Sequence, residues 1–164
     1  MVDLALLGCG GGMPIPQRYL SSLLISYKGR KILLDCGEGT QVSMKMLGWG
    51  FKSIDVICLT HGHADHILGL PGILLTIGNS GRTEPITIIG PVGITDIVKG
   101  LRVVAPYLPY EINILENPQE SVKIKASTNC ENPLLGKFND LIISTLELEH
   151  STNCLGYSFY FNRK

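Results

Sequence analysis

An α/β layered sandwich is the fold class that the sequence predicts, and three observations predict it. Short runs rich in leucine and β-branched residues recur from one end of the chain to the other, the mark of strands. Between them lie segments whose apolar residues return at helical spacing and stop near glycine. Glycine and proline are spread as punctuation, with no repeat and no low-complexity stretch, so residues 1–164 are expected to form one domain or one part of a domain.

The elements follow in order. Residues 2–7 read as a first strand, and 22–27 with 30–35 as a hairpin around Lys28-Gly29, because apolar runs flank a turn pair. Residues 40–47 carry Val42, Met46 and Leu47 at helical spacing and meet Gly48, so a short helix is expected there with glycine as its stop. The apolar run 53–60 reads as a buried strand. Residues 65–77 read as a helix interrupted at Leu70-Pro71, 85–89 as a strand, and 93–103 as a helix with Ile94, Ile97, Val98 and Leu101 on its apolar side. Strands then resume at 111–115, 121–126, 141–149 and 155–161, separated by turn formers such as Asn117-Pro118 and Asn132-Pro133.

Composition bounds the function classes. With 164 residues, 45% of them hydrophobic and 17% charged, the chain has the apolar surface for a core. Its 14 basic and 14 acidic residues cancel, so net charge gives no argument for a polyanionic partner. The start Met1-Val2-Asp3-Leu4 has no basic region before its apolar residues, unlike a secretory signal. The longest apolar stretch, 67–77, is too short to cross a bilayer and contains Pro71. A cytoplasmic protein without membrane contact is therefore expected. Five cysteines form no CxxC pair, and an odd count argues against a closed disulfide framework. Cys58, between Ile57 and Leu59, reads as a small buried hydrophobe.

The chemistry concentrates in one place. Of four histidines in the chain, three fall in His61-Gly62-His63-Ala64-Asp65-His66, at the mouth of the predicted strand 53–60. Side chains alternate along an extended segment, so His61 and His63 share a side, while Asp65 and His66 follow as the chain turns into a helix and aim at an adjacent position. Two metal ions side by side would use such a split set. His150, at the end of the predicted strand 141–149, is a natural third ligand for the first ion. Nitrogen donors with one carboxylate point to zinc, with manganese, iron and cobalt as open alternatives. Such a site activates water for hydrolysis without naming the bond that is cut. Asp65 would hold the second metal and take part in proton transfer. Asp35, at the end of its own strand, is placed either to hydrogen-bond a ligand imidazole or to serve as a turn residue.

Three segments carry a resemblance: Leu33-Leu34-Asp35-Cys36-Gly37-Glu38-Gly39-Thr40-Gln41, Leu59-Thr60-His61-Gly62-His63-Ala64-Asp65-His66, and Glu149-His150-Ser151-Thr152-Asn153-Cys154-Leu155-Gly156-Tyr157. Together they resemble the ribonuclease Z family, enzymes of the metallo-β-lactamase fold (αββα) that remove the 3′ trailer from precursor tRNA. The resemblance spans nearly the whole chain but matches the N-terminal part of that family. It implies that His61, His63 and His150 hold one zinc and that Asp65 and His66 hold the other, two ions per complete site. It also implies Asp65 as the acid/base group and Asp35 as the support of the site. The loop 10–21 resembles the family's substrate loop, with Arg18 retained as a phosphate contact while Pro16 and Tyr19 replace the usual Lys and Asn. The metal-bridging aspartate and the further histidine of the family's second half have no counterpart here, and Asp140 is a poor substitute.

The leading expectation is thus a zinc-dependent endoribonuclease acting on precursor tRNA, of which this chain carries part of the site. One alternative is a non-catalytic half-domain that binds metal or a partner chain. Another is a small-molecule metallo-hydrolase of the same fold, against which Asp35–Gln41 (DCGEGTQ) speaks. An exposed apolar face is expected to drive homodimerisation or association with a C-terminal half.

Overall fold

The computed structural model describes residues 1–13, 15–124 and 141–161. Its elements are β1 (Val2–Gly8), β2 (Ser22–Tyr27), β3 (Arg30–Leu34), α1 (Thr40–Leu47), β4 (Ile54–Cys58), α2 (Ala64–Ile67), α3 (Leu70–Asn79), β5 (Ile86–Gly90), α4 (Ile94–Leu101), β6 (Ile112–Glu116), β7 (Val122–Ile124), β8 (Leu141–Leu148) and β9 (Cys154–Phe161). A 3₁₀ turn, Arg102–Val104, follows α4. The expected strand 121–126 is seen as far as residue 124. Residues 125 and 126, the Asn132-Pro133 turn, Cys130 and Asp140 lie outside the described residues.

Strands β1 to β6 form one sheet in sequence order, antiparallel through the β1–β2–β3 meander and parallel from β3 to β6. Strands β7, β8 and β9 form a second, antiparallel sheet. One face of the large sheet, with Leu24, Leu33, Ile57 and Ile88, packs under the helices through Met44, Ile73, Leu74, Ile77, Ile94 and Val98. The other face, with Ile25, Ile32, Val56, Cys58 and Ile89, meets Leu141, Ile143, Tyr157 and Phe159 of the small sheet. Helices, sheet and sheet make three layers, the sandwich that the alternation of periods predicts. Each fully buried leucine or isoleucine in these layers contributes roughly 1.5–3 kcal/mol.

Local chemistry sets the boundaries. Gly48 caps α1 with φ 76°, and its N–H reaches the carbonyl of Met44. The apolar residues chosen for that helix do not all face inward: Met44 is buried, while Val42 and Met46 are exposed. The break expected at Leu70-Pro71 falls earlier, at Leu68-Gly69, and Pro71 sits in the first turn of α3, where its missing N–H costs nothing. The helix expected over 93–103 ends as an α-helix at Leu101, with Gly93 as its left-handed N-cap. Strand β3 stops one residue short of Asp35, which turns out of the sheet with φ 57°.

Candidate metal centre

Strands β3, β4 and β5 are parallel, so their C-terminal ends emerge together, with Leu34 opposite Cys58 and Cys58 opposite Ile89. Open α/β sheets place their sites at that edge. Asp35 leaves β3 there in a left-handed conformation that Asp tolerates better than most residues. Its N–H stays bonded to the carbonyl of Cys58 at 2.8 Å. From the end of β4, Leu59, Thr60 and His61 run on beside it.

Asp35 is buried and serves several donors at once. The Thr60 N–H donates to Oδ1 at 2.8 Å, the Thr60 hydroxyl stands 3.0 and 2.9 Å from the two carboxylate oxygens, and His66 Nδ1 lies 2.7 Å from Oδ2. Thr60 Oγ1 is also 2.9 Å from His61 Nδ1. The hydrogen bond that His66 makes to Asp35 raises the His66 pKa, whereas burial lowers that of His61. The two sequence readings of Asp35 are not exclusive here: it turns the chain out of β3 and its carboxylate hydrogen-bonds the His66 ring.

His63 remains extended, φ −69° and ψ 146°, as the N-cap of α2, and α2 carries Asp65 and His66. This short helix is locked against the loop after β3. Cys36 N–H donates to the His66 carbonyl at 2.7 Å and Gly69 N–H to the Cys36 carbonyl at 2.8 Å. Glycine is required at both crossing points: a Cβ on Gly37 would sit 2.3 Å from the Asp65 carbonyl oxygen, and one on Gly69 2.2 Å from that of Gly37. The Gly-rich loop after β1 closes the other side, with the Gly12 N–H donating to Asp65 Oδ2 at 2.8 Å. That bond is the main reason the Asp65 pKa is lowered.

His150 arrives from the second sheet, in the turn between β8 and β9. Three bonds fasten that turn to the ends of β4 and β5: Leu155 N–H to the Thr60 carbonyl at 2.8 Å, and the Tyr157 hydroxyl to the carbonyls of Leu59 and Ile89 at 2.8 and 3.1 Å. The result is one cluster. Ligand nitrogens of His61, His63 and His150 all lie within 4.8 Å of one another. His61 is buried and His63 and His150 are exposed, and together they would supply the imidazole set that zinc takes.

A second pair stands beside it. The His61 and His66 ring centroids are 4.1 Å apart, and His66 Nε2 lies 3.6 Å from Asp65 Oδ2. With Nδ1 committed to Asp35, a neutral His66 turns a lone pair toward that carboxylate, an arrangement that favours a proton or a cation between them. The donor set therefore fits a metal. Arg18 is exposed on the loop before β2, one Nη donating to the Cys9 carbonyl at 3.1 Å. Sequence reasoning missed Thr60 and the Gly12 N–H. A hydroxyl directly before His61 was a visible signal for the first; a backbone donor 53 residues from Asp65 left none.

Sheet order, helical layer and histidine cluster define a protein of the metallo-β-lactamase fold with a site that could hold a metal ion. The chain belongs to the family described as anti-Pycsar protein Apyc1, whose model matches residues 2–164. It is also similar to curated proteins named Ribonuclease Z. It is 62% identical over 165 residues to that of Clostridium beijerinckii and 60% over 164 to that of Clostridium tetani, covering all of this chain and 51% and 52% of theirs. The chain thus spans about half the length of the curated relatives it matches. Among solved structures, human tRNase Z, short form, superposes with a TM-score of 0.75 at 25% identity, covering 98% of this chain and 65% of that one. The metallo-β-lactamase fold protein YhfI of Bacillus subtilis follows at 0.71 and 17% identity, with 97% and 58% covered. Among the described residues no helix is long and apolar enough to cross a membrane.

Proposed function

We propose that the chain is part of a metal-dependent endoribonuclease of the ribonuclease Z type, which removes the 3′ trailer from precursor tRNA in the cytoplasm by hydrolysing a phosphodiester. The observation that carries this reading is the convergence of His61, His63 and His150 beside the Asp65–His66 pair, in a chain 54–62% identical to proteins named Ribonuclease Z. The activity belongs to a whole protein of the relatives' length. The tRNA substrate is that of the relatives named Ribonuclease Z, which match this chain from end to end.

In this reading His61, His63 and His150 hold one zinc, and Asp65 and His66 contribute to a second, with manganese as the alternative metal. When bound, the metal lowers the pKa of water and polarises the phosphoryl oxygen. Asp65, steadied by Gly12, accepts the proton of the attacking water, and Asp35 fixes the His66 ring. Arg18 keeps guanidinium donors beyond the one spent on Cys9, enough for a substrate phosphate. Three nitrogens serve one ion and only two donors the other, so the chain by itself is expected to hold about one zinc tightly. Two tightly held ions in a metal analysis would break that assignment.

The test is 3′-trailer cleavage of a precursor tRNA by the chain paired with the remaining half of the Clostridium beijerinckii relative. Chelator-sensitive cleavage, abolished by His63→Ala, is expected. Absence of cleavage, or cleavage that survives the chelator, overturns the reading.

A second reading, a metal-binding half-domain without turnover, is favoured by two observations. Leu4 and Leu6, 64% and 68% exposed, stand on the sheet face that at Ile25 is buried. The far edge of β9 has no strand beside it among the described residues. This strip would draw the chain into a homodimer or onto a C-terminal half, and a stable monomer in light scattering would count against either.

A further inference from the structure

We propose that Thr60 is the positioning residue that sets the tautomer of His61, relaying the buried Asp35 carboxylate to the three-histidine cluster through its hydroxyl. A threonine hydroxyl has one hydrogen to give and lone pairs to accept with, and a carboxylate only accepts. Thr60 Oγ1 lies 3.0 and 2.9 Å from the two Asp35 oxygens, so its hydrogen goes to Asp35. The contact of 2.9 Å to His61 Nδ1 is then one in which Oγ1 accepts, and Nδ1 is the nitrogen that carries the proton. His61 Nε2 is left with its lone pair, in a ring that is buried and packed edge-on against both His63 and His150.

A histidine can ligate only through its unprotonated nitrogen, and the bond made by the other nitrogen decides which one that is. Free neutral imidazole offers both choices; the Thr60 hydroxyl removes one. Asp35 makes the same choice directly for His66, whose Nδ1 lies 2.7 Å from Oδ2. One carboxylate therefore orients a ring in each half of the site, the first through Thr60 and the second by contact. Thr60 is itself pinned: its N–H donates to Asp35 and its carbonyl accepts from Leu155. The hydroxyl is thereby aimed by the same backbone that brings His150 into place.

The part concerning metal affinity rests on the metal reading above; the tautomer does not. The experiment is long-range ¹H–¹⁵N NMR of the histidine rings in the metal-free chain, at a pH where His61 is neutral, followed by zinc titration. Wild type and Thr60→Ser are expected to show His61 protonated on Nδ1, whereas Thr60→Val shows a mixture of tautomers. Zinc affinity is expected to fall about 10–100-fold in Thr60→Val, the usual size for loss of a group that supports a ligand, and to return in Thr60→Ser. His61 protonated on Nε2 in the wild type overturns the proposal, whether or not any variant folds. So does Thr60→Val with wild-type tautomer and affinity. A wild-type chain with Nδ1-protonated His61 but no zinc binding would instead sink the metal reading and leave the tautomer assignment standing.

Discussion

Asp35 concentrates more of the site's geometry than any ligand candidate does. It receives the Thr60 amide, the Thr60 hydroxyl and the His66 ring while its own backbone sits at φ 57°. Asparagine keeps the shape and tolerates the left-handed backbone, but its amide nitrogen cannot accept. Asp35→Asn is therefore expected to fold and to bind zinc about 10–100-fold more weakly, since one of the bonds that orient the rings is lost. Competition titration against a chromogenic chelator, with a melting curve on the same sample, checks it; wild-type affinity would show that the ring orientations are set elsewhere. At this scale the sequence was informative where a residue type and a spacing coincide. His61, His63 and His150 meet, and Asp35 reaches the ring of His66 beside them. Thr60 and the Gly12 N–H were not legible, because a hydroxyl and a backbone donor belong to every loop and acquire a role only when the fold brings an acceptor to them.

The elements deliver these residues, and their joints are tighter than their periods reveal. The approach of α2 and α3 to the loop after β3 leaves no room for a side chain at Gly69. Gly69→Ala must push its Cβ against the Gly37 carbonyl oxygen, so the loop and α2 have to separate. A loss of roughly 1–3 kcal/mol, the usual cost of overpacking, is expected in denaturant unfolding, together with weaker zinc binding, because His66 rides on α2. An unchanged midpoint would mean that the joint is slack. The β8–β9 turn depends on a different fastening. Tyr157→Phe takes the hydroxyl from the carbonyls of Leu59 and Ile89. A cost of about 1–3 kcal/mol for a buried acceptor left unmatched is expected. Zinc affinity should fall with it, as His150 loses its anchor; full stability would show that water replaces the hydroxyl. The sequence made the strands and helices legible within a residue or two, because apolar period and glycine stops are local signals. It misplaced the break before α3, since proline both interrupts helices and starts them, and only packing distinguishes the two. Helical spacing of Val42 and Met46 marked the helix but not its inner side: both are exposed, and Met44 is buried.

At the scale of the molecule, the two faces of the large sheet are covered unequally. Helices cover one face through the first core cluster, and the small sheet covers the other around Ile25, Ile32, Val56, Cys58 and Ile89. Cover thins toward β1. Leu4 pairs with Ile25 and Leu6 with Leu23, so both point to the side of the second sheet, yet both remain exposed. The apolar run 2–7 predicts a strand but not how far the opposing sheet extends, which depends on partners remote in sequence. Adjacent exposed leucines on a strand at a sheet edge favour association. Leu4→Ser with Leu6→Ser should therefore shift the chain toward monomer in sedimentation velocity. Their effect on stability should be small, within about 0.5 kcal/mol per site, because neither side chain is buried. Unchanged association with both leucines gone would move the contact elsewhere, to the exposed Val42 and Met46 of α1 or to the outer face of the small sheet, where Leu146, Leu148 and Tyr160 are open. Loss of association together with a large drop in stability would mean instead that the strip is already packed in the folded chain.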